Sequence, residues 1–216
     1  MSEITFLLGR LEDPFEMFPM QSVSRSLADL VHETEEIRLD HTAPMRGAAP
    51  KYYTVEDEHD IAVAGLLIGS AFVLGQAAIT QTISIAKKIH DLAGKPSWLP
   101  HGKNTLMSTE ASKHDKTGLS KIALIDAVAN YFKHSYEWPD GWVGAAQKQQ
   151  DTINLVLMLG LVPSGDQNLE TAMRELGMGA HDMAPLSVLV HEWRERLAAH
   201  FRGQMNKHGF DFHTSH

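Results

Sequence analysis

Asp126-Ala-Val-Ala-Asn-Tyr-Phe-Lys-His-Ser-Tyr-Glu-Trp138 carries the clearest helical pattern in this chain of 216 residues. Apolar residues recur there and just before it at spacings of three and four, which places them on one stripe of a helix: Ile122, Ile125, Ala129, Phe132 and Tyr136. A polar row lies on nearly the opposite side, beside Ala123 and Ala127: Asp126, Asn130 and His134. We expect the apolar stripe to face the protein's own core. Small residues around an ordered polar row indicate that a second helix or a second chain approaches the other face.

The rest of the chain also has helical patterns. We predict helices at about 22–38, 54–92, 117–137, 151–160, 168–176 and 185–207. Glycine and proline mark the ends of several of them, as Gly94 and Pro96 do after the second. Strand-like alternation of polar and apolar residues never extends beyond a few positions. The sequence therefore predicts an all-α protein, arranged as an antiparallel helical bundle.

The predicted helices divide the chain into two parts. Residues 1–20 contain two prolines and several aromatic residues, and we expect them to form an irregular arm. This arm and the first helix make up an N-terminal part, 1–53, and residues 54–216 then form a single helical-bundle domain. Segments 40–53 and 94–116 are predicted to be loops, because they are rich in Gly, Pro and polar residues. The helix at 54–92 is unusually long, so we expect it to kink near one of its glycines, Gly65, Gly69 or Gly75.

Bulk properties narrow the possible functions. The net charge of −8 argues against a protein that coats nucleic acid non-specifically. The chain has no cysteine, which excludes disulfides and thiolate metal sites. Its first residues lack the basic start and long apolar stretch of a signal peptide, so we expect a cytoplasmic protein. Residues 61–79 approach the length that spans a bilayer, but their Ala and Gly content favours a buried central helix and no membrane association.

The segment Asn130-Tyr-Phe-Lys-His134-Ser-Tyr136 resembles the second signature helix of the HEPN superfamily, helical-bundle proteins common in bacterial toxin–antitoxin and defence systems. The family pattern is an Arg, a polar residue that is often Asn, and then a His within a helix, frequently followed by a Tyr. Asn130, His134 and Tyr136 stand in that register, whereas the Arg position holds Ala129. The resemblance covers about residues 54–140 and implies a HEPN-like core there, followed by additional C-terminal helices.

The resemblance also implies a homodimer with a metal-independent endoribonuclease site, without a cofactor, and with RNA or a cognate antitoxin as partner. In such a site a histidine transfers a proton and a cation stabilises the charge on the phosphate. His134 would be the acid or base, Asn130 would orient, and Lys133 or a distant Arg would replace the missing cation. Tyr136 and Asp126 would contribute to binding. Lys133 lies about 100° from His134 on the helical wheel, and lysine binds phosphate less well than bidentate arginine.

Several alternatives to a ribonuclease remain open. A non-catalytic module could bind a partner protein or a nucleotide through the same face. His134 could also cap the last carbonyls of its helix, or be an ordinary surface residue. A metal-binding bundle is a third alternative, since Glu56 and His59 have the Glu-x-x-His spacing of di-iron sites. The second such motif that a di-iron site needs is missing, so we predict no metal site.

Two further groups of residues could carry function. Arg194 and His200 lie on one late helix, where we expect them to belong to a solvated face rather than to an acid–base site. Four tryptophans could stack on RNA bases, but no basic residues are interleaved with them: Trp98, Trp138, Trp142 and Trp193. We therefore expect the tryptophans to pack against the core.

Overall fold

The structure is a computed structural model that describes residues 2–17, 20–26, 28–29, 55–165, 167–179 and 182–210. Over these residues the protein is all-α and has no β-strand, as the sequence predicts. The helices are α1 Glu3–Glu12, α2 Val55–Leu92, α3 Lys103–Ser108, α4 Lys121–His134, α5 Gln147–Met158, α6 Asn168–Glu175 and α7 Ala184–Lys207. Residues 20–26 are helical as well. Short 3-10 turns occupy Pro14–Met17, Ser135–Glu137 and Asp140–Trp142.

Helix α1 replaces the irregular arm that we expected at the N-terminus. Ser2 caps it, because the Ser2 Oγ accepts a hydrogen bond from the Thr5 backbone N–H at 3.2 Å. Its buried side chains have the i, i+3, i+4, i+7 spacing of an amphipathic helix: Ile4, Leu7, Leu8 and Leu11. They join the main hydrophobic core, and α1 packs against α2 and α7. The expectation was wrong because Pro14 lies beyond the end of this helix and does not interrupt it.

Helix α2 is the element that most of the others contact. It matches the helix predicted at 54–92, continues without interruption through its glycines, and packs most extensively against α4. Among the described residues, its segment Gly65–Leu92 is the one stretch long and apolar enough to cross a membrane by those two criteria. Half of the most apolar window of that segment is buried inside the protein.

Helix α4 begins and ends inside the range predicted for it. Ser120 is its N-cap, accepting from the Ala123 N–H at 3.3 Å, and its hydroxyl also donates to the Met107 carbonyl at 2.5 Å. The stripe predicted to be apolar is buried at Ile122, Ile125 and Ala129 and half-buried at Phe132. Tyr136 does not belong to that stripe. The α-helix ends at His134, so Tyr136 lies in a 3-10 turn with 81% of its surface exposed.

The remaining helices lie close to their predicted positions. Helices α5, α6 and α7 correspond to the predictions at 151–160, 168–176 and 185–207. The inward residues predicted for α7 are buried, as at Val190, Trp193 and Phe201. Segment 94–116, predicted to be a loop, contains the short helix α3, which contributes Leu106 and Met107 to the core. The loop predicted at 40–53, most of the helix predicted at 22–38 and the tail 211–216 lie outside the described residues.

Candidate functional site

Asp126 is a buried carboxylate on α4 that connects three helices. Its Oδ2 accepts a hydrogen bond from the Lys103 Nζ of α3 at 2.7 Å, and its Oδ1 accepts one from the Gln76 Nε2 of α2 at 2.9 Å. A buried carboxylate is costly unless it is paired and hydrogen-bonded, and these two donors meet that need. The sequence predicted that a second helix or a second chain approaches the face of α4 that carries Asp126. Two helices of this chain, α2 and α3, contact Asp126 there, and both Asp126 and Ala127 are buried.

Gln76 extends this contact into a polar network. Its Nε2 also donates to the Asn130 Oδ1 at 3.0 Å, and its Oε1 accepts from the Lys133 Nζ at 2.5 Å. The ammonium group of Lys133 is thus bound to an amide on the neighbouring helix. Gln76 was not among the site residues predicted from the sequence, although it is a polar residue within the apolar run 61–79. A polar residue in such a run usually has a buried partner, and that signal could have identified it.

His134 stands at the C-terminal end of α4 and is half exposed. Its Nδ1 lies 3.2 Å from the Glu137 Oε1, so the histidine is held by a carboxylate three residues later. The hydrogen bond with His134 is the largest of the effects that lower the pKa of Glu137. Glu137 in turn raises the pKa of the Tyr136 hydroxyl, first through a hydrogen bond and then through its charge. His134, Tyr136 and Glu137 therefore interact as one exposed cluster.

His134 and Asn130 open into a pocket of about 270 Å³ between the end of α4 and the start of α5, which we call the His134 pocket. Its walls are formed by Asn130, His134, Glu137, Trp138, Lys148, Gln149 and Thr152. The last three lie in the first turns of α5, where the helix dipole favours negative charge. Lys148 and Gln149 were missed because the sequence predicted that this helix begins at residue 151, whereas it begins at Gln147.

Ala129, which stands at the Arg position of the HEPN pattern, does not face this pocket. Ala129 is fully buried in the core, so the pocket has no cation from that position. Lys133 is bound to Gln76 and does not line the pocket. Lys148 is the basic side chain that does. The arrangement thus offers a histidine oriented by a carboxylate, one ammonium group from α5, and amide and hydroxyl groups that can form hydrogen bonds.

The second candidate pair does not form a site. Arg194 is buried, with 1% of its surface exposed, and its Nη2 donates to the Arg10 carbonyl at the end of α1 at 2.8 Å. Burial is the main cause of the lowered pKa of Arg194. His200 instead contacts Glu110, with its Nδ1 3.0 Å from the Glu110 Oε1. The expectation of a solvated face was wrong for Arg194, because α1 covers this part of α7.

The tryptophans pack against the core, as the sequence predicts. Trp138, Trp142 and Trp193 are buried, and the half-buried Trp98 stacks on His208 with ring centroids 4.3 Å apart. Glu56 and His59 of the metal alternative lie in a part of α2 whose side chains are outside the described residues. Where side chains are described, no group of three or more His, Asp or Glu residues is placed to hold a metal ion.

Comparison of the chain with protein-family models, with curated proteins and with solved structures finds no match. The HEPN resemblance therefore stays a prediction that depends on Asn130, His134 and Tyr136 alone. The contacts of the His134 pocket are independent of that resemblance.

Proposed function

We propose that the protein binds a phosphate-bearing ribonucleotide ligand, such as an RNA strand, in the His134 pocket without cleaving it. The observation that carries the proposal is the position of Lys148 and His134 in the walls of one open pocket. An ammonium group and an imidazole that can take up a proton are suitable partners for a phosphate. The first turn of α5 adds the positive end of a helix dipole.

The size and polarity of the pocket are consistent with a ribonucleotide unit. A volume of about 270 Å³ is close to the lower limit for small-ligand pockets. Gln149 accepts a hydrogen bond from the Ala146 N–H through its Oε1, which leaves its Nε2 as a further donor. The Thr152 hydroxyl can both donate and accept. These groups can recognise the hydroxyls of a ribose, whereas a bare inorganic anion would use few of them.

Binding without cleavage is favoured by the small number of cations. A ribonuclease needs a positive charge at the phosphate when charge develops in the transition state. Ala129 is buried and Lys133 is bound to Gln76, so α4 supplies no such charge, and Lys148 of α5 is the one ammonium group in the pocket. We propose that the HEPN-like core, if the resemblance reflects common ancestry, retains binding and has lost catalysis. Its cellular role would be that of an RNA-binding or antitoxin-binding protein of a bacterial defence system, acting as a homodimer.

A metal-independent endoribonuclease is the second candidate, and the contact between His134 and Glu137 favours it. A carboxylate that holds a histidine in one orientation is a common arrangement for a general base. In this candidate His134 moves the proton, Glu137 orients the imidazole and Lys148 stabilises the phosphate. Asn130 would then position the ligand from the wall of the pocket.

The experiment that tests binding is a fluorescence-anisotropy titration with a labelled single-stranded RNA in EDTA. Wild type is compared with Lys148→Ala, and with Lys87→Ala as the control, since Lys87 is an exposed lysine on α2 that does not line the pocket. We expect Lys148→Ala to weaken binding about tenfold, the usual effect of losing one charge-assisted hydrogen bond. Equal losses of affinity in Lys148→Ala and Lys87→Ala would show that RNA is attracted by surface charge in general and would refute binding in the His134 pocket.

A further inference from the structure

A second pocket, of about 330 Å³, lies on the other side of the Ser135–Glu137 turn, and the proposed function makes no use of it. We call it the Trp142 pocket. Of the ten residues that line it, four are aromatic and three have other polar side chains: Tyr131, Tyr136, Trp138 and Trp142, and Ser135, Asp140 and Ser164. Trp138 lines both pockets. Aromatic rings beside one carboxylate favour a ligand different from the one proposed for the His134 pocket.

Three of the rings meet at steep angles. The Trp138 and Trp142 rings are 5.4 Å apart at 87°, and Tyr131 lies 5.8 Å from each of them, at 58° and 64°. The three rings are steeply inclined to one another, so they form a corner and not a flat stack. Tyr136 stands at the open side with its ring in solvent.

The charge of the pocket selects for a cation. Asp140, whose surface is exposed, is the one charged residue among the ten that line the pocket, all of which are described. A carboxylate beside aromatic faces attracts a positive group and repels a phosphate or a carboxylate. The His134 pocket differs from it, because Lys148 lines that pocket together with the carboxylate of Glu137.

The backbone and its hydrogen bonds hold the rings in place before a ligand binds. Trp142 and Ser164 have left-handed backbone angles, with φ of 58° and 57°, a conformation that costs a residue other than glycine about 1 kcal/mol or more. Asn168 donates to the Tyr131 hydroxyl at 2.8 Å and to the Val162 carbonyl at 2.7 Å. These bonds connect the ring of Tyr131 to the turn that carries Ser164. A preformed pocket loses little conformational entropy on binding.

We infer that the Trp142 pocket binds a quaternary or methylated ammonium group. Methyl groups spread the charge of such a cation and weaken its hydration. Its attraction to aromatic faces can therefore offset the free energy of removing it from water. An unmethylated ammonium is more strongly hydrated and loses more on leaving water, and Asp140 is the one carboxylate in the pocket that could compensate that loss. The group can belong to a free metabolite such as choline or to a trimethylated lysine in a protein.

The test is isothermal titration calorimetry of the full chain with choline and with 3,3-dimethylbutan-1-ol, its neutral isostere. We expect choline to bind at least about tenfold more tightly, because only the cation gains from the ring faces and Asp140. Titration with a trimethyllysine peptide and its unmethylated form distinguishes the two sources. Equal binding of choline and the isostere, or no binding of either choline or the trimethyllysine peptide, would overturn the inference.

Two surface variants locate the binding without threatening the fold. Asp140→Asn removes the charge of an exposed side chain, and Asp115→Asn is its control on an exposed loop away from the pocket. We expect Asp140→Asn to weaken choline binding about fivefold, and Tyr136→Ala to weaken it to a similar extent. Asp115→Asn is expected to leave it unchanged. A loss in Asp115→Asn equal to that in Asp140→Asn would also overturn the inference, since it would indicate general attraction to acidic surface.

Discussion

Gly69 on α2 lies against the ring of Phe132 on α4, so closely that a Cβ at position 69 would stand 2.2 Å from the Phe132 Cδ2. Non-bonded heavy atoms do not approach to that distance, so a side chain at residue 69 would require a shift of the Phe132 ring or of a helix. This contact lies between the two helices of the protein that pack together most extensively. The absence of a side chain at residue 69 is therefore what allows Phe132 to reach α2.

We expect Gly69→Ala to lower the free energy of unfolding by about 1–3 kcal/mol, the usual effect of overpacking. Gly65→Ala, one turn earlier on the same helix, is the matched control, because no atom lies within 4 Å of a Cβ there. It should raise stability by up to about 1 kcal/mol, since alanine favours helix more than glycine does. Urea unfolding followed by circular dichroism measures both. A stable Gly69→Ala would mean that Phe132 is free to move away.

Arg194 provides a second test of the core. Its guanidinium is buried and donates to the Arg10 carbonyl at the end of α1, while its Nε has no hydrogen-bond partner. We expect Arg194→Ala to cost about 3 kcal/mol, because it leaves a cavity and removes the donor from that carbonyl. Arg196→Ala, two residues later on an exposed face, should change stability by less than about 0.5 kcal/mol. Similar effects of the two substitutions in thermal unfolding would contradict the burial of Arg194.

The network around Gln76 predicts a coupling between α2 and α4. Gln76→Leu keeps the size of the side chain but deprives Asp126 and Lys133 of a hydrogen-bond partner. A loss of about 2 kcal/mol is expected, the usual effect of leaving buried polar groups unpaired. Ala77→Leu, at the exposed neighbouring position, is the control and should be close to neutral. In a double-mutant cycle Gln76→Leu and Asp126→Ala should be non-additive, because each removes one partner of the hydrogen bond between them, and additive losses would argue against a direct bond.

The ion pair between Arg10 and Glu16 makes stability depend on pH. The Arg10 Nε lies 2.8 Å from the Glu16 Oε1, and its hydrogen bond is the main cause that lowers the pKa of Glu16. A lowered folded-state pKa stabilises the protein above the unfolded value, near 4.5, and this contribution is lost as pH falls through the folded-state value. As the pH is lowered from 5 through the folded-state pKa of Glu16, the free energy of unfolding of wild type should therefore fall more than that of Glu16→Gln. Parallel pH profiles of the two proteins would refute the linkage.

A helix could be predicted from the sequence where its apolar residues recur at regular spacing within one continuous segment. The spacing of apolar residues predicted α2, α4 and α7, and the same spacing at Ile4, Leu7, Leu8 and Leu11 would have predicted α1. Helix α3 has only six residues and too few apolar positions for a periodic signal. Asp126 shows a different limit. A helical wheel places a residue on a face, but it does not say how many other helices pack against that face.

The candidate site was predictable only in the part that lies on α4. Asn130 and His134 were recognised because they lie four residues apart on one helix. Gln76 and Lys148 come from helices α2 and α5, and no local pattern connects them with His134. Lys133 illustrates the converse. The wheel places it about 100° from His134, but it does not show that the long side chain extends to the Gln76 amide on α2.

The most direct test of the proposed function is one incubation of labelled single-stranded RNA with an equimolar amount of the protein in EDTA, divided between a native and a denaturing gel. Binding in the His134 pocket without cleavage predicts a shifted band on the native gel and full-length RNA on the denaturing gel. It also predicts that the shift is lost in the double variant that combines His134→Ala and Lys148→Ala. An unshifted RNA, or a shift that this double variant retains, would contradict the account. Fragments that appear with wild type and vanish in His134→Ala would contradict binding without cleavage and establish the ribonuclease instead.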